Sequence, residues 1–375
     1  MKMPNLEWFG SMVDRLLRKE DLDRKTVREM FSQVLRDEQP ELHQGAFLAA
    51  LAAKGETAAE IAGAWEAIRE VDTTQVDLAV ATPVMDNCGT GRDPLKTFNI
   101  STAAAVVAAA GGVTVARHGA RAITSRCGTV DVAEALGVDV DGGVAIAKRS
   151  VEECGLGLFN GMSRSVHPQG LFRILPQIRF GTTLHLAGSL ASPVQATLGV
   201  RGVFSAEMVE RVARVMAEIG YRQAFVCHGL NQEGGPAMDE ASNLGPTAVC
   251  QLRENGLLER FTFLPEDVGL KRGRAEELLS SGRPEQEASR LVRLLSGREN
   301  GSRLDVICLN AAPMFLLAGR VRDLPAGIEL SRDLIHSGKA LLQLERWVAS
   351  QNRNPQAGLD RLDQVLTGAG LSRRR

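Results

Sequence analysis

The sequence predicts an α/β protein in which a small N-terminal helical bundle precedes a larger domain built on a mainly parallel sheet. Two observations carry that prediction. Residues 8–71 repeat apolar side chains at three- and four-residue spacing, the period of helices with one buried face. After Thr73-Thr74-Gln75, short apolar runs ending in glycine alternate with helical stretches, the pattern of strands covered on both faces. The expected division is a helical domain over 1–76, joined by part of 170–195, an α/β domain over 77–348, and a C-terminal tail over 349–375.

Within the bundle, Leu16-Leu17, Val27, Met30-Phe31 and Val34-Leu35 mark the first two helices, the second capped by Asp21 or Asp23. A third helix holds residues 45–51 and stops at Gly55. Thr57 followed by Glu60 is a capping-box start for a fourth. Downstream, apolar runs at 84–87 and 113–116 read as strands, with helices at 102–110 and 130–136. Residues 224–227 read as a buried strand after a helix at 206–218. The stretch 170–193 is less regular and crosses back toward the bundle. In the polar tail, Leu359, Leu362 and Val365-Leu366 suit one short amphipathic helix.

Composition narrows the function. The chain has 375 residues, 44% hydrophobic and 24% charged, with a net charge of −1 and only 4% aromatics. That balance gives no basic field for nucleic acid or anionic membranes and few platforms for stacking bases. Six scattered cysteines without a CxxC pair read as reduced thiols of a cytoplasmic protein. The apolar run 103–115 is too short to span a bilayer.

Three turns between Asp86 and Asp131 concentrate the chemistry. Gly89-Thr90-Gly91-Arg92-Asp93 follows a strand, and glycines there let backbone N–H groups approach an anion. Asn99-Ile100-Ser101-Thr102 opens a helix whose N-terminus would face the same strand ends. The third turn brings Arg117, His118 and Arg121, then Ser125 and Thr129. Singly, each has a plainer reading as a tight turn, a helix cap or a solvated basic face. Together they suggest a site for phosphates. The carboxylates of Asp239-Glu240, beyond the 224–227 strand, suit Mg²⁺, which binds few carboxylates plus substrate oxygens.

These residues resemble the anthranilate phosphoribosyltransferases. The likeness lies in Gly45-Ala46-Phe47-Leu48-Ala49-Ala50-Leu51, in the glycine turn, in Asn99-Ile100-Ser101-Thr102 and in the loop at Arg117-His118-Gly119. It continues through Leu264-Pro265-Glu266-Asp267-Val268-Gly269-Leu270, Leu309-Asn310-Ala311-Ala312 and Ser337-Gly338-Lys339-Ala340, and so spans roughly residues 10–348. The resemblance implies the two-domain fold of phosphoribosyltransferases and nucleoside phosphorylases, with the bundle hinged to the α/β domain over an active-site cleft. It implies transfer of phosphoribose from 5-phosphoribosyl 1-diphosphate to an aromatic amine, with Mg²⁺, in a cytoplasmic homodimer. By the same likeness, Gly89, Gly91, Arg92, Asp93, Thr97, Asn99, Ser101, Thr102, Arg117, Ser125 and Thr129 would bind the donor. Ser101, Asp239 and Glu240 would hold the metal, His118 and Arg121 would be catalytic, and His118 and His167 would face the acceptor.

The chain departs from the family mainly on the acceptor side. Arg92 stands where the family prefers glycine, Arg117 where it has lysine, and Ala120 where it has asparagine. Across 158–193 the arginine that pairs with the anthranilate carboxylate has Leu175 in its place on an ungapped reading, with Arg173 and Arg179 as candidate substitutes. Two rival readings keep the fold. One is a non-catalytic nucleic-acid-binding paralogue, resembled by 185–193; the other is a nucleoside phosphorylase.

Overall fold

A computed structural model describes residues 5–90, 94–122, 126–178, 180–231 and 234–373. The bundle comprises α1 (Leu6–Leu17), α2 (Arg24–Leu35), α3 (Glu41–Lys54) and α4 (Ala58–Asp72). Its helices start and stop where local chemistry directs. Asp23 caps α2 by accepting the Thr26 N–H at 2.9 Å. Gly55 ends α3 with φ of 87°. Thr57 and Glu60 form a reciprocal capping box at the start of α4, with bonds of 3.2 and 2.8 Å.

The larger domain begins with β1 (Val84–Gly89), α5 (Ile100–Ala110), β2 (Thr114–Gly119), α6 (Thr129–Ala135), α7 (Gly143–Cys154) and β3 (Leu156–Asn160). Two short helices follow, α8 (Gly170–Ile174) and α9 (Thr183–Leu190). They return to the bundle, α8 against α2 and α4, and α9 against α3 and α4. The chain then adds β4 (Leu198–Gly202), α10 (Ala206–Glu218), β5 (Gln223–Gly229), β6 (Thr247–Leu252) and β7 (Leu258–Phe263). It finishes with α11 (Ala275–Leu278), α12 (Pro284–Leu295), α13 (Ser302–Leu317), α14 (Leu324–His336), α15 (Lys339–Ser350) and α16 (Pro355–Gly368).

The sheet has seven strands in the order β3-β2-β1-β4-β5-β6-β7. The first five in that order pair in parallel, while β6 and β7 add an antiparallel edge that the sequence pattern did not announce. Chain direction across the sheet reverses between β1 and β4, and a parallel sheet presents its ligand crevice at such a switch point, beyond the carboxyl ends of its strands. Helix α5 lies under this point. Residues 102–109 of it are buried all round, and its alanine and valine side chains let α13 and α15 pack close. Helix α16 is no loose tail, since Leu362 and Leu366 are fully buried where it meets α12 and α15. Among the described residues, no helix is long and apolar enough to cross a membrane.

Candidate active site

A cavity of ≈ 250 Å³ opens at the carboxyl ends of β1, β2 and β3, between them and the returning segments α8 and α9. Cys88 and Gly89 of β1, His118 and Gly119 of β2 and Gly161 after β3 supply the sheet side. Leu171, Leu175, Leu184 and His185 supply the bundle side. Each sheet residue stands at or just past the end of a parallel strand, so register brings turns distant in sequence to one edge.

Where the strand tips meet the start of α5, Asn99 holds the cap position, but among the described residues its side chain makes no cap bond. Its Nδ2 donates instead to the Cys127 carbonyl at 3.1 Å, and its buried Oδ1 has no hydrogen-bond partner among the described residues. Ser101 and Thr102 are not caps either. Their hydroxyls accept from Arg117, at 3.0 Å from Nη2 and 2.7 Å from Nη1, while Arg117 Nε donates to the Asn87 carbonyl at 3.2 Å. Burial lowers the Arg117 pKa from its ordinary value. A guanidinium fixed by three oxygens thus joins β1, β2 and the start of α5, and adds its charge to the positive end of the helix.

The acidic pair reaches this edge by close backbone approach. After β5, Met238 exchanges backbone bonds of 3.0 and 2.9 Å with Gly229, which brings the chain back over the strand ends. Asp239 then packs where side chains on β1 or β4 would collide. A Cβ on Gly89 would lie 2.2 Å from Asp239 Oδ2, and one on Gly202 1.3 Å from the Asp239 carbonyl oxygen. Asn310 of α13 holds the next residue: its Oδ1 accepts the Ala241 N–H and its Nδ2 donates to the Ala241 carbonyl, both at 2.9 Å.

Ser101, Asp239 and Glu240 border a chamber of ≈ 20 Å³ with Asn87. Asn87 Nδ2 donates to the Ser101 carbonyl at 2.8 Å, and its buried Oδ1 has no hydrogen-bond partner among the described residues. A space of about this size admits one water or one small cation. Cys88 and Cys227 also line it, but burial raises both thiols above their ordinary pKa and keeps them from acting as thiolate ligands, so the oxygens of Ser101, Asp239 and Glu240 are the donors, a set that fits Mg²⁺. Among the described residues no group of three or more His, Cys, Asp or Glu forms a metal cage. Mg²⁺ takes few protein carboxylates and completes its shell with water and substrate oxygens.

On the bundle side of the cavity two histidines meet. His167 Nδ1 lies 2.7 Å from the Asp72 carbonyl oxygen, which can only accept, so that nitrogen carries the proton. Burial lowers the His167 pKa, leaving the ring neutral with Nε2 as an acceptor. His118 Nε2, 3.1 Å away, donates to it. Burial, then His167 and Arg201, depress His118 to about 3. Behind the pair, Arg201 and Asp86 form a buried ion pair at 2.6 Å. Burial works against the Arg201 charge, but the neighbouring carboxylate outweighs it and raises its pKa.

Of the residues singled out from sequence, Gly89, Thr97, Asn99, Ser101, Arg117 and His118 line the cavity. So do Arg121, Thr129, His167, Asp239 and Glu240. Thr102 stands behind the wall, holding Arg117. Gly91, Arg92, Asp93, Ser125 and Arg179 lie outside the described residues. Two expectations need correction. Arg173 points away from the cavity, donating to the Val34 carbonyl at 2.7 Å and pairing with Asp37 at 3.2 Å, because the apolar side of α8 carries Leu171 and Leu175 inward. Arg121 borders the cavity, yet its guanidinium is bound to Glu134 at 2.7 Å and Asp131 at 3.2 Å, which makes it a brace of the third turn rather than a free catalytic cation. Sequence reading missed Asp72, Asn87 and Arg201. Polar residues inside apolar runs, as in Val84 to Cys88 and Leu198 to Gly202, were the available signal.

Fold and site together define a glycosyl transferase. Residues 81–341 match the glycosyl transferase family a/b domain, and residues 11–71 match its helical bundle domain. Among curated proteins, the anthranilate phosphoribosyltransferase of Desulfosudis oleivorans is 36% identical over 92% of this chain and 99% of its own length. That of Anaeromyxobacter sp. strain Fw109-5 is 40% identical over 89% and 96%. Among solved structures, anthranilate phosphoribosyltransferase from Thermus thermophilus superposes with a TM-score of 0.80 at 34% identity, covering 90% of this chain and 98% of that one. The Saccharomyces cerevisiae enzyme in complex with PRPP and Mg also gives 0.80, at 25% identity, covering 94% and 99%. The chain belongs to the anthranilate phosphoribosyltransferase family, and it is a pentosyltransferase.

Proposed function

We propose that this enzyme transfers phosphoribose from 5-phosphoribosyl 1-diphosphate to the nitrogen of an aromatic amine, anthranilate or a related acceptor, as in tryptophan biosynthesis. The bond from the sugar's anomeric carbon to diphosphate oxygen breaks, a bond to the amine nitrogen forms, and the amine gives up a proton. The observation that carries this reading is one cavity with two unlike ends. Strand tips, a helix N-terminus, fixed arginine and a carboxylate pair stand at one end, and neutral imidazoles and leucines at the other.

Asp239, Glu240 and Ser101 would hold Mg²⁺, which when bound offsets the charge of the departing diphosphate. The N–H groups at the start of α5 are aimed where that charge develops, and they need no reorganisation to meet it. Leu171, Leu175 and Leu184 keep water from the amine and align its ring. An arylamine is uncharged near neutral pH, so the neutral histidines position it without having to ionise it.

Because Arg173 turns away and Leu175 faces the cavity, Arg173 does not anchor a carboxylate on the acceptor. Loss of anthranilate fluorescence after adding 5-phosphoribosyl 1-diphosphate and Mg²⁺ tests the assignment. Metal-dependent loss supports it, and a parallel assay with aniline measures how much the carboxylate matters. Donor turnover with neither amine would remove the aromatic-amine reading. Failure to bind the donor would favour the nucleic-acid-binding reading. The enzyme would work as a cytoplasmic homodimer. Its six free thiols suit a reducing compartment, and Leu6, Leu17 and Leu42 offer apolar contacts on the bundle surface.

A further inference from the structure

Asp72 has no part in the chemistry above, yet it is fully buried at the last position of α4. Its Oδ1 accepts the Gln169 N–H at 2.6 Å and its Oδ2 accepts the Leu171 N–H at 2.5 Å. Its own carbonyl takes the proton of His167 Nδ1 at 2.7 Å. One bundle residue therefore holds both components of the acceptor end. Through its carbonyl it fixes the tautomer of His167, and so the donor direction of His118. Through its carboxylate it anchors the first turn of α8, which carries Leu171 and Leu175 into the cavity. A buried carboxylate is costly unless its oxygens are hydrogen-bonded, and here each oxygen receives a backbone N–H.

We infer that Asp72 is a positioning residue for the acceptor, setting the histidine pair and the leucine wall as one unit while leaving the donor end untouched. The inference deepens, and rests on, the aromatic-amine reading above. The proposed donor residues hang from β1, β2 and α5, whereas Asp72 belongs to the bundle and bonds to His167, Gln169 and Leu171.

The test is Asp72→Asn. An amide must present its NH₂ to one of the two N–H groups, so one bond is lost. Hydrogen exchange of the peptide covering residues 168–175 should accelerate by about tenfold or more, and the KM for anthranilate should rise by a similar factor. The KM for 5-phosphoribosyl 1-diphosphate should stay within about twofold of wild type. Unchanged exchange across 168–175 would overturn the inference, as would equal rises in both KM values, which would mean general loosening. Wild-type enzyme that fails to use anthranilate would count against that acceptor, and the exchange result would then decide the role of Asp72 alone. Should the asparagine variant not fold, Asp72→Ser, which can still accept one N–H, is judged by the same measurements.

Discussion

His118 shows how burial fixes a protonation state at the residue scale. Its ring is held to about 3, against 6.5 for an exposed histidine, chiefly by desolvation. Below pH 6.5 the unfolded chain takes up a proton that the native ring refuses until about 3. Stability therefore rises with pH across that window, and the deficit at about pH 5 is about 2 kcal/mol. His118→Gln removes this linkage. Urea midpoints measured at about pH 5 and about pH 7.5 should differ less in the variant than in wild type, and an equal or larger difference would sink the assignment. The carboxylate pair gives a second residue-scale prediction. Asp239→Asn combined with Glu240→Gln should abolish Mg²⁺-dependent turnover and weaken Mn²⁺ binding followed by electron paramagnetic resonance. Unchanged turnover would remove both residues from the metal site.

At the scale of elements, the site depends on helix packing away from the cavity. Helix α5 can run beneath the switch point because its alanines and valines leave room for α13 and α15. From the other side α13 sends Asn310 to clamp the backbone just after Glu240. Helix α16 closes the same core, with Leu362 and Leu366 both fully buried. Leu362→Ala should cost about 2–5 kcal/mol in urea unfolding, the range for a buried leucine whose site collapses only in part. A cost near zero would mean that α16 packs more loosely than the structure shows.

Across the whole molecule, one hydrophobic core lies between one face of the sheet and helices α5 and α12 to α16, and a second runs without a break from the bundle through α9 and α10 onto the other face. The cavity borders that second core through Leu171 and Leu184, with Asp72 holding α8 on the bundle side. The same bundle leaves Leu42 on α3 86% exposed and Leu17 on α1 68% exposed. If these side chains lie in a homodimer interface, Leu42→Asp combined with Leu17→Asp should halve the mass found by sedimentation equilibrium and leave the fold intact. A wild-type monomer would refute the dimer, and a variant that stays dimeric would move the interface elsewhere.

The sequence alone determined the bundle, the parallel sheet and the turns whose residues line the strand-end side of the cavity. Helical and strand periods are local, and Gly89, Asn99, Ser101, Arg117, His118 and Thr129 sit on consecutive strand-to-helix turns that any parallel sheet gathers at one edge. Even there, partners were illegible: Ser101 and Thr102 read as caps or phosphate ligands, and only packing revealed Arg117 between them. Tertiary structure decided the acceptor end. Asp72 meets His167 and Leu171, and Arg173 meets Val34, across gaps in the chain that no local period encodes. Which arginine enters a cavity depends on how a five-residue helix is rotated against two others, and that rotation is fixed by the buried surface of the whole assembly.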